Sequence, residues 1–244
     1  MIWKPRLSLL RKRLGSLTLS ETLIPYYYFV WAVIPFKQVQ KAKQRLSSIL
    51  SIEERRILSL KMLEDVLAAA KTSGVFDRTV VATNCKEGFL VADKMGALHF
   101  ETFVDSGLNS AAKKAANWLS LQGIKTMCLF PADIPLVSES EFQQIAIDHA
   151  SHQGLTIVPS HDFKGTNCML LSPPNILPFC FGMNSYAEHI RQGIKLNLSC
   201  QSKHFHGIAL DIDNPNDLKT LVVATQKTQS TSYLKKIKIG LRFN

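Results

Sequence analysis

Short apolar runs alternate with segments of helical period along most of the chain. The first run, at 29–36, reads F-V-W-A-V-I-P-F and is nearly continuous, as expected of a central strand that is covered on both faces. The pattern predicts further strands at 79–83, 97–100, 125–130, 154–159, 168–171 and 208–210. It predicts helices at 53–72, 88–95, 107–122, 138–149 and 186–192, and the start of another at Asn214-Pro215. This alternation indicates an α/β fold with a mostly parallel, twisted sheet and helices on both faces.

The length and composition indicate a single soluble domain. The chain has 244 residues, of which 46% are hydrophobic and 20% charged, and it shows no internal repeat and no linker. Its five cysteines are dispersed and none forms a C-x-x-C pair, so we expect reduced thiols in a cytoplasmic protein. No apolar run is long enough for a membrane helix, and no secretory signal is evident at the start, so no membrane association is expected.

The net charge of +10 is concentrated at the two ends of the chain. Residues 1–28 carry five Lys/Arg and one acid, and residues 227–244 carry five Lys/Arg and no acid. These ends supply +4 and +5, which leaves +1 for the rest of the chain. The distribution favours solvated ends over a nucleic-acid-binding surface on the folded body. The segment after Thr225 is polar, then basic, and shows no clear element.

A basic loop follows the first predicted strand. Lys37, Lys41, Lys43 and Arg45 lie within nine positions, at the carboxyl end of a buried strand. Such a cluster suits a polyanion, and a nucleoside triphosphate is the obvious candidate; the alternative is a solvated run of charges. The loop has neither G-x-G-x-x-G nor G-x-x-x-x-G-K-[ST], which argues against a dinucleotide fold and a P-loop.

Two acidic motifs follow predicted strands. Asp133 lies in P-A-D-I-P at the end of the strand at 125–130, and Asp211 and Asp213 form D-I-D after the strand at 208–210. If these strands end at one edge of the sheet, Asp133 and Asp213 can share a divalent cation. Carboxylates without a His or Cys partner suit Mg²⁺ better than zinc. The alternative is that these acids only cap turns and helices.

Two glycine-containing segments have the chemistry of anion sites. Gly165-Thr166 offers a backbone N–H and a hydroxyl, and Gly182 precedes Ser185, the predicted cap of a short helix. His189 lies on that helix. The histidines show no metal-binding spacing, but His189 lies within reach of this candidate anion site and ranks above the others.

Taken in order, these motifs resemble a known family. They are Pro35-x-Lys37, Ala42-Lys43-x-Arg45-Leu46, Leu108-Asn109, P-A-D-I-P at 131–135, G-T-N at 165–167, F-G-x-x-S at 181–185 and D-I-D-x-P-x-D-L at 211–218. The pattern resembles the 2-phospholactate guanylyltransferases of deazaflavin coenzyme F-420 biosynthesis. These belong to the nucleotidyltransferases with a molybdenum-cofactor-guanylyltransferase-like fold, which is nucleotide-diphospho-sugar transferase-like and Rossmann-like. The resemblance spans about residues 29–222, and the pairing of G-T-N with F-G-x-x-S is its most specific part.

The resemblance implies a role for each matching residue. The implied metal ligands for Mg²⁺ are Asp133 and Asp213; the catalytic residues are Lys37, Lys43 and Asp133; the nucleotide-binding residues are Lys37, Lys43, Arg45, Asn84 and Asn109; and the residues that bind the phosphorylated acid are Thr166, Gly182 and Ser185. One departure is Lys164, which stands where the family usually has the first glycine of Gly-Gly-Thr-Asn. The implied domains are a basic extension at 1–28, a nucleotidyltransferase domain at 29–225 and a basic tail at 226–244.

The implied reaction moves GMP from GTP to the phosphate of a three-carbon acid and releases pyrophosphate. The acid is 2-phospho-L-lactate, phosphoenolpyruvate or 3-phospho-D-glycerate. We expect the product to pass to a downstream transferase, and a homodimer fits this fold. The enzyme alternatives are a metal-dependent glycosyltransferase, for which D-x-D is typical, and a molybdopterin guanylyltransferase, whose glycine-rich loop is missing here. The non-enzyme alternative is an RNA-binding protein that uses the basic ends.

Overall fold

The computed structural model describes residues 30–37, 43–101, 107–150 and 154–243. The strands of this part of the chain are β1 (Val30–Phe36), β2 (Arg78–Thr83), β3 (Leu98–Glu101), β4 (Thr126–Leu129), β5 (Gly154–Pro159), β6 (Thr166–Leu171) and β7 (Ser199–Ser202). The α-helices are α1 (Ile52–Ser73), α2 (Lys86–Met95), α3 (Gly107–Leu121), α4 (Glu139–Ala150), α5 (Ser185–Lys195), α6 (His206–Ala209), α7 (Pro215–Val223) and α8 (Gln229–Lys236). Short 3₁₀ turns lie at Gln44–Leu46 and Ile239–Arg242.

The strands form one sheet in the order β3-β2-β1-β4-β6-β5-β7. Neighbouring strands are parallel except for β6, which is antiparallel to both β4 and β5. The carboxyl ends of the other strands and the start of β6 therefore lie at one edge of the sheet, which we call the upper edge. The predicted α/β class with a mostly parallel sheet is confirmed.

Helices cover both faces of the sheet, as predicted. Along β1 the side chains alternate: Ala32 and Ile34 belong to one buried cluster and Val33 belongs to another. The first cluster includes Leu63 and Val66 of α1 together with Phe142 of α4, and the second includes four residues of α3, namely Ala112, Ala115, Ala116 and Leu119. Because the central strands are buried on both faces, their sequences are continuous apolar runs rather than alternating ones.

The predicted strand at 208–210 is wrong. Residues 206–209 form the short helix α6, and the chain from Leu210 to Asp213 runs outside the sheet. The place next to β5 is taken by β7, whose Ser199 pairs with Gly154 in parallel register. The sequence S-C-Q-S of β7 has no apolar run, because β7 is the outermost strand of the sheet and is partly exposed.

The expectation that the segment after Thr225 has no regular element is also wrong. Helix α8 begins after a capping box at Thr228, and its Leu234 is fully buried, as is Ile239 of the following 3₁₀ turn. The carboxylate of Asp65 on α1 accepts hydrogen bonds from the backbone N–H groups of Gln229 (2.6 Å) and Ser230 (2.9 Å). The buried side chains of Leu234 and Ile239 and the hydrogen bonds to Asp65 thus attach this segment to the rest of the fold, although its exposed surface is basic.

Some predictions fall outside the described residues. The basic extension at 1–28 and Lys41 of the basic loop lie there. Within the described residues, no helix is long and apolar enough to cross a membrane.

Candidate active site

Three charged side chains meet at the upper edge of the sheet. The ammonium group of Lys43 contacts a carboxylate oxygen of Asp133 and lies 2.6 Å from Oδ1 of Asp213. Its side chain is only 8% exposed. Lys43 has the left-handed conformation, with φ 55°, which is uncommon for a residue other than glycine. One lysine therefore joins two aspartates that are 80 positions apart in the sequence.

Backbone hydrogen bonds fix both aspartates. The segment that leaves β4 stays beside β1, because the N–H of Phe130 donates to the carbonyl of Val33 (3.2 Å). The N–H of Ile212 donates to the carbonyl of Asp133 (2.9 Å), which ties the D-I-D segment directly to P-A-D-I-P. The prediction that Asp213 ends a strand is wrong, yet this hydrogen bond brings it to the expected edge.

The start of α7 holds Asp213 from the other side. Asn214 is the N-cap residue, and the carboxylate of Asp217 accepts hydrogen bonds from the backbone N–H groups of Asp213 (3.0 Å) and Asn214 (2.9 Å). The predicted Asn-Pro helix start is confirmed. Capping therefore involves Asn214 and Asp217, and the side chain of Asp213 is left to face Lys43.

The charges at this site are strongly coupled. Burial alone would lower the pKa of the Lys43 ammonium, but the neighbouring carboxylates of Asp133 and Asp213 outweigh it and raise that pKa above its usual value. Burial raises the pKa of Asp211, and the negative charge of Asp133 raises it further. Lys43 is thus charged at neutral pH and neutralises part of an acidic site.

Asp133 retains an unused oxygen. Its Oδ1 atom is buried and has no hydrogen-bond partner among the described residues. A buried carboxylate oxygen without a partner is costly unless a ligand or cation satisfies it. In the described part of the chain, no group of three or more His, Cys, Asp or Glu residues forms a metal site. Two carboxylates completed by water and phosphate oxygens nevertheless suit Mg²⁺, so Asp133 and Asp213 fit the predicted ion.

A cleft of about 560 Å³ opens beside Asp213, and Asp133 is not part of its lining. Its lining residues are Arg45, Ser160, His161, Asp162, Lys164, Gly165, Asn167, Gly182, Met183, Asn184, Asp211, Asp213, Asn214 and Asp217. Arg45, Gly182 and Asp213 are predicted site residues. The lining combines the cations Arg45 and Lys164 with four aspartates, which suits a phosphorylated ligand that binds together with a cation.

The residues implied to bind the acid lie together at the start of β6. The hydroxyl of Ser185 lies 3.4 Å from that of Thr166, and the N–H of Ser185 donates to the carbonyl of Gly182 (3.3 Å). Gly182 has φ 142°, a conformation that side chains rarely allow, and it lets the chain turn into α5. Ser185 is the first residue of α5 rather than its cap, which is Asn184.

Lys37, Asn84 and Asn109 are predicted nucleotide-binding residues that do not line the cleft. Lys37 and Asn84 follow β1 and β2 at the upper edge, but neither is among the residues that line the cleft. Asn109 is bound to a loop: its amide donates to the carbonyl of Phe181 (3.0 Å) and its Oδ1 accepts from the N–H of Phe181 (2.6 Å). The nucleotide-binding roles of Lys37, Asn84 and Asn109 stay predictions.

Two side chains, those of Asn167 and Ser160, shape the site although the sequence predicts no role for them. The buried amide of Asn167 donates to the carbonyls of Ile208 (3.1 Å) and Ala209 (2.9 Å) and to the carboxylate of Asp211 (2.9 Å). The hydroxyl of Ser160 accepts from the N–H of Gly165 (2.7 Å) and shapes the turn that carries Lys164. Asn167 could have been found from the sequence, because it is part of the G-T-N motif. Nothing in the sequence near Ser160 indicates the role of Ser160.

The chain belongs to the family described as "Guanylyl transferase CofC like", whose family model matches residues 30–244. It is 32% identical over 192 residues to the 3-phospho-D-glycerate guanylyltransferase of Colwellia psychrerythraea, covering 78% of this chain and 90% of that protein. It is 31% identical over 209 residues to the 2-phospho-L-lactate guanylyltransferase of Methanocaldococcus vulcanius, with 85% and 90% covered. It is 29% identical over 190 residues to the phosphoenolpyruvate guanylyltransferase of Sphaerobacter thermophilus, with 78% and 91% covered. The predicted resemblance is therefore confirmed.

Solved structures support the fold. A protein from Desulfovibrio desulfuricans G20 that is assigned to the nucleotide-diphospho-sugar transferases superposes with a TM-score of 0.71 at 14% identity, covering 87% of this chain and 97% of that one. The 4-diphosphocytidyl-2C-methyl-D-erythritol synthase of Anaerococcus prevotii gives a TM-score of 0.57 at 11% identity, with 88% and 100% covered. At these identities the likeness concerns the fold alone, and it confirms the predicted nucleotide-diphospho-sugar transferase-like class.

Proposed function

We propose that the protein transfers GMP from GTP to the phosphate of a small phosphorylated three-carbon acid. Candidate acceptors are 2-phospho-L-lactate, phosphoenolpyruvate and 3-phospho-D-glycerate, the acids in the names of its relatives. The observation that carries the proposal is the site in which Lys43 joins Asp133 and Asp213 beside a cleft with Arg45 at its wall. The pathway that fits is coenzyme F-420 biosynthesis in the cytoplasm, with a downstream transferase receiving the product.

The chemistry is a displacement at the α-phosphorus of GTP. A phosphate oxygen of the acid forms a new P–O bond, the bond from the α-phosphorus to the bridging oxygen breaks, and pyrophosphate leaves with that electron pair. A phosphate monoester has a second pKa of about 6 and is largely ionised at neutral pH, so the nucleophile needs no general base. The protein has to align the two anions and compensate their charge.

Each part of the site has a role in this scheme. Lys43 and Arg45, with Lys37 at the end of β1, supply positive charge for the triphosphate. Asp133 and Asp213 would hold Mg²⁺, which, when bound, neutralises phosphate charge and makes the α-phosphorus more electrophilic. The Thr166 hydroxyl and the turn from Gly182 to Ser185 would supply hydrogen-bond donors for the acid.

The direct test is pyrophosphate release by the purified protein. It is incubated with Mg²⁺, each of the three acids in turn, and GTP, ATP or CTP. We expect release that requires both GTP and one of the acids, and that stops when EDTA removes the metal. The same preparation, tested with GDP-mannose and UDP-glucose, addresses the glycosyltransferase alternative. Sugar-nucleotide turnover without acid-dependent pyrophosphate release would contradict the proposal.

A further inference from the structure

His189 links the parts of the predicted acid site. Its ring is completely buried one turn after Ser185 on α5. Nδ1 lies 3.0 Å from the hydroxyl of Thr166, and Nε2 lies 2.9 Å from the backbone nitrogen of Cys180. The ring also packs edge-to-face on Phe181, with the ring centres 4.9 Å apart. One side chain therefore bridges the start of β6 and the loop that contains Gly182.

The hydrogen bond to Cys180 decides which ring nitrogen carries the proton. A backbone N–H can only donate, so Nε2 of His189 must accept and be unprotonated. Burial lowers the pKa of His189 to about 4, so the ring is neutral at pH 7. The proton of the neutral ring then resides on Nδ1, which donates to the oxygen of Thr166.

This arrangement determines the direction of the Thr166 hydroxyl. Its oxygen accepts from His189 and is approached by the Ser185 hydroxyl, which donates to it at 3.4 Å. Its own proton has no acceptor among the described residues. Thr166 is buried and does not itself line the cleft, but its chain neighbours Gly165 and Asn167 do, and so does Gly182 of the facing loop. The Thr166 proton is thus available to an anion that enters between the start of β6 and the Gly182 loop.

We propose that His189 is a positioning residue that fixes Thr166 as a hydrogen-bond donor to the phosphorylated acid and holds the Gly182 loop in place. This inference rests on the proposed function. His189 does not act as the base, because its one unprotonated nitrogen already accepts from Cys180. Its effect is exerted through Thr166, which touches the acid, and not through the nucleotide.

A double-mutant cycle tests this route. Thr166→Val removes the hydroxyl at nearly constant shape, and we expect the KM for the acid to rise about 10-fold or more with the KM for GTP little changed, as for loss of one hydrogen bond to a charged group. His189→Leu should act in the same direction. In the Thr166→Val background, His189→Leu should raise the acid KM much less than it does alone, because the two changes remove one interaction.

One further variant separates the roles of the two ring nitrogens of His189, and a second serves as a control. His189→Asn keeps an N–H near the position of Nδ1 and should preserve part of the acid affinity that His189→Leu loses. His99→Asn, which changes an exposed histidine on β3 at the other end of the sheet, is the matched control and should leave both KM values unchanged. Additive effects of Thr166→Val and His189→Leu on the acid KM would overturn the inference.

A measurement on the unmodified protein does not depend on the variants folding. In the ¹⁵N NMR spectrum of its histidine rings, the His189 ring should be neutral and protonated at Nδ1 at pH 7. If His189 is instead protonated at Nε2, the inference is wrong even if the enzyme is active. If the unmodified protein uses none of the three acids, the proposed function fails and the role assigned to Thr166 fails with it. Acid-dependent activity with an unchanged acid KM in His189→Leu refutes this inference alone.

Discussion

At the scale of single residues, the site depends on the contact between Lys43 and two carboxylates. The contact forms because Lys43 adopts a left-handed conformation at the end of the basic loop and its side chain is buried against Asp133 and Asp213. Opposite charges this close stabilise each other strongly when water is largely excluded. Removing the carboxylate of either aspartate should therefore affect both the turnover and the environment of Lys43.

Asp133→Asn should lower kcat about 10²- to 10³-fold, the scale for loss of one electrostatic contact in an active site. The protein should remain folded, because Asp213 still neutralises Lys43. Asp93→Asn, an exposed aspartate on α2, is the matched control and should keep full activity. Steady-state pyrophosphate release and circular dichroism measure the two effects. Near-normal turnover in Asp133→Asn would remove this carboxylate from the mechanism.

His189 should make the stability of the protein sensitive to acid. Burial holds its pKa at about 4 in the folded state, whereas the usual value is 6.5, and the neighbouring charge of Glu188 only partly opposes this. Between these values the unfolded chain binds one more proton, so the free energy of unfolding falls as the pH drops from 6.5 towards 4, by up to about 3 kcal/mol.

Urea unfolding at pH 7 and pH 4.5 tests this, with His189→Asn as the comparison. The variant lacks the titrating ring and should lose less stability over this range than the unmodified protein. The carboxylates are the same in both proteins, so their contributions to the pH dependence of stability cancel. Equal losses in the two proteins would mean that His189 is not held neutral by the fold.

Much of this site could be predicted from the sequence, because motif residues at strand ends carry their chemistry visibly. P-A-D-I-P and the basic loop indicated Asp133 and Lys43 before any contact was known. The direct contact of Lys43 with both aspartates could not be predicted, because it depends on the left-handed conformation of this lysine. The bridge from His189 to Cys180 was equally hidden, because a backbone partner leaves no mark in the sequence.

At the scale of secondary-structure elements, the least predictable region lies between α5 and α7. Ile208, Ala209 and Leu210 are apolar because they are buried, and this made them look like a strand although they belong to α6 and the chain after it. Strand β7, in contrast, is polar and half exposed at the sheet edge. Hydrophobic pattern reports burial, and it distinguishes strand from helix poorly over four residues.

Helix α6 is held close to the chain that carries Asp133. The N–H of Gly207 donates to the carboxylate of Glu141 (2.7 Å), which also accepts from the N–H of Ser138 (2.8 Å) at the start of α4. A Cβ on Gly207 would lie well inside van der Waals contact of the backbone carbonyl of Leu136 and of that carboxylate. Glycine is therefore needed here for close approach of two chain segments.

Gly207→Ala should consequently displace α6 and the D-I-D segment that follows it. We expect a loss of about 1–3 kcal/mol in the free energy of unfolding, the usual cost of overpacking, together with reduced turnover. Gly240→Ala is the matched control, because a Cβ there meets no atom within 4 Å. Thermal unfolding and pyrophosphate release are compared for the two variants. An unaltered Gly207→Ala protein would show that the close approach of α6 is not required.

At the scale of the whole molecule, the C-terminal segment completes the domain. Leu234 and Ile239 lie in a buried cluster with Leu46 and Leu50, which follow the basic loop, and with Ile212 of the D-I-D segment. Arg242 extends the attachment through an ion pair with Glu54 at the start of α1 (2.8 Å). This cluster therefore packs against the two chain segments that carry Lys43 and Asp213, and the basic residues of the terminus belong to an anchored segment.

A pair of leucine substitutions tests this attachment. Leu234→Ala should lower the free energy of unfolding by about 2–5 kcal/mol, because it opens a cavity in a fully buried position. Leu241→Ala removes the same atoms from a side chain that is 73% exposed in the same segment, and it should change stability by less than about 0.5 kcal/mol. Urea unfolding of both variants gives the comparison.

A terminus that only adds solvated charge would make the two leucine substitutions equally mild. A large difference between them, with Lys235→Gln and Lys236→Gln leaving turnover unchanged, would assign the segment to the folded body and argue against an RNA-binding tail.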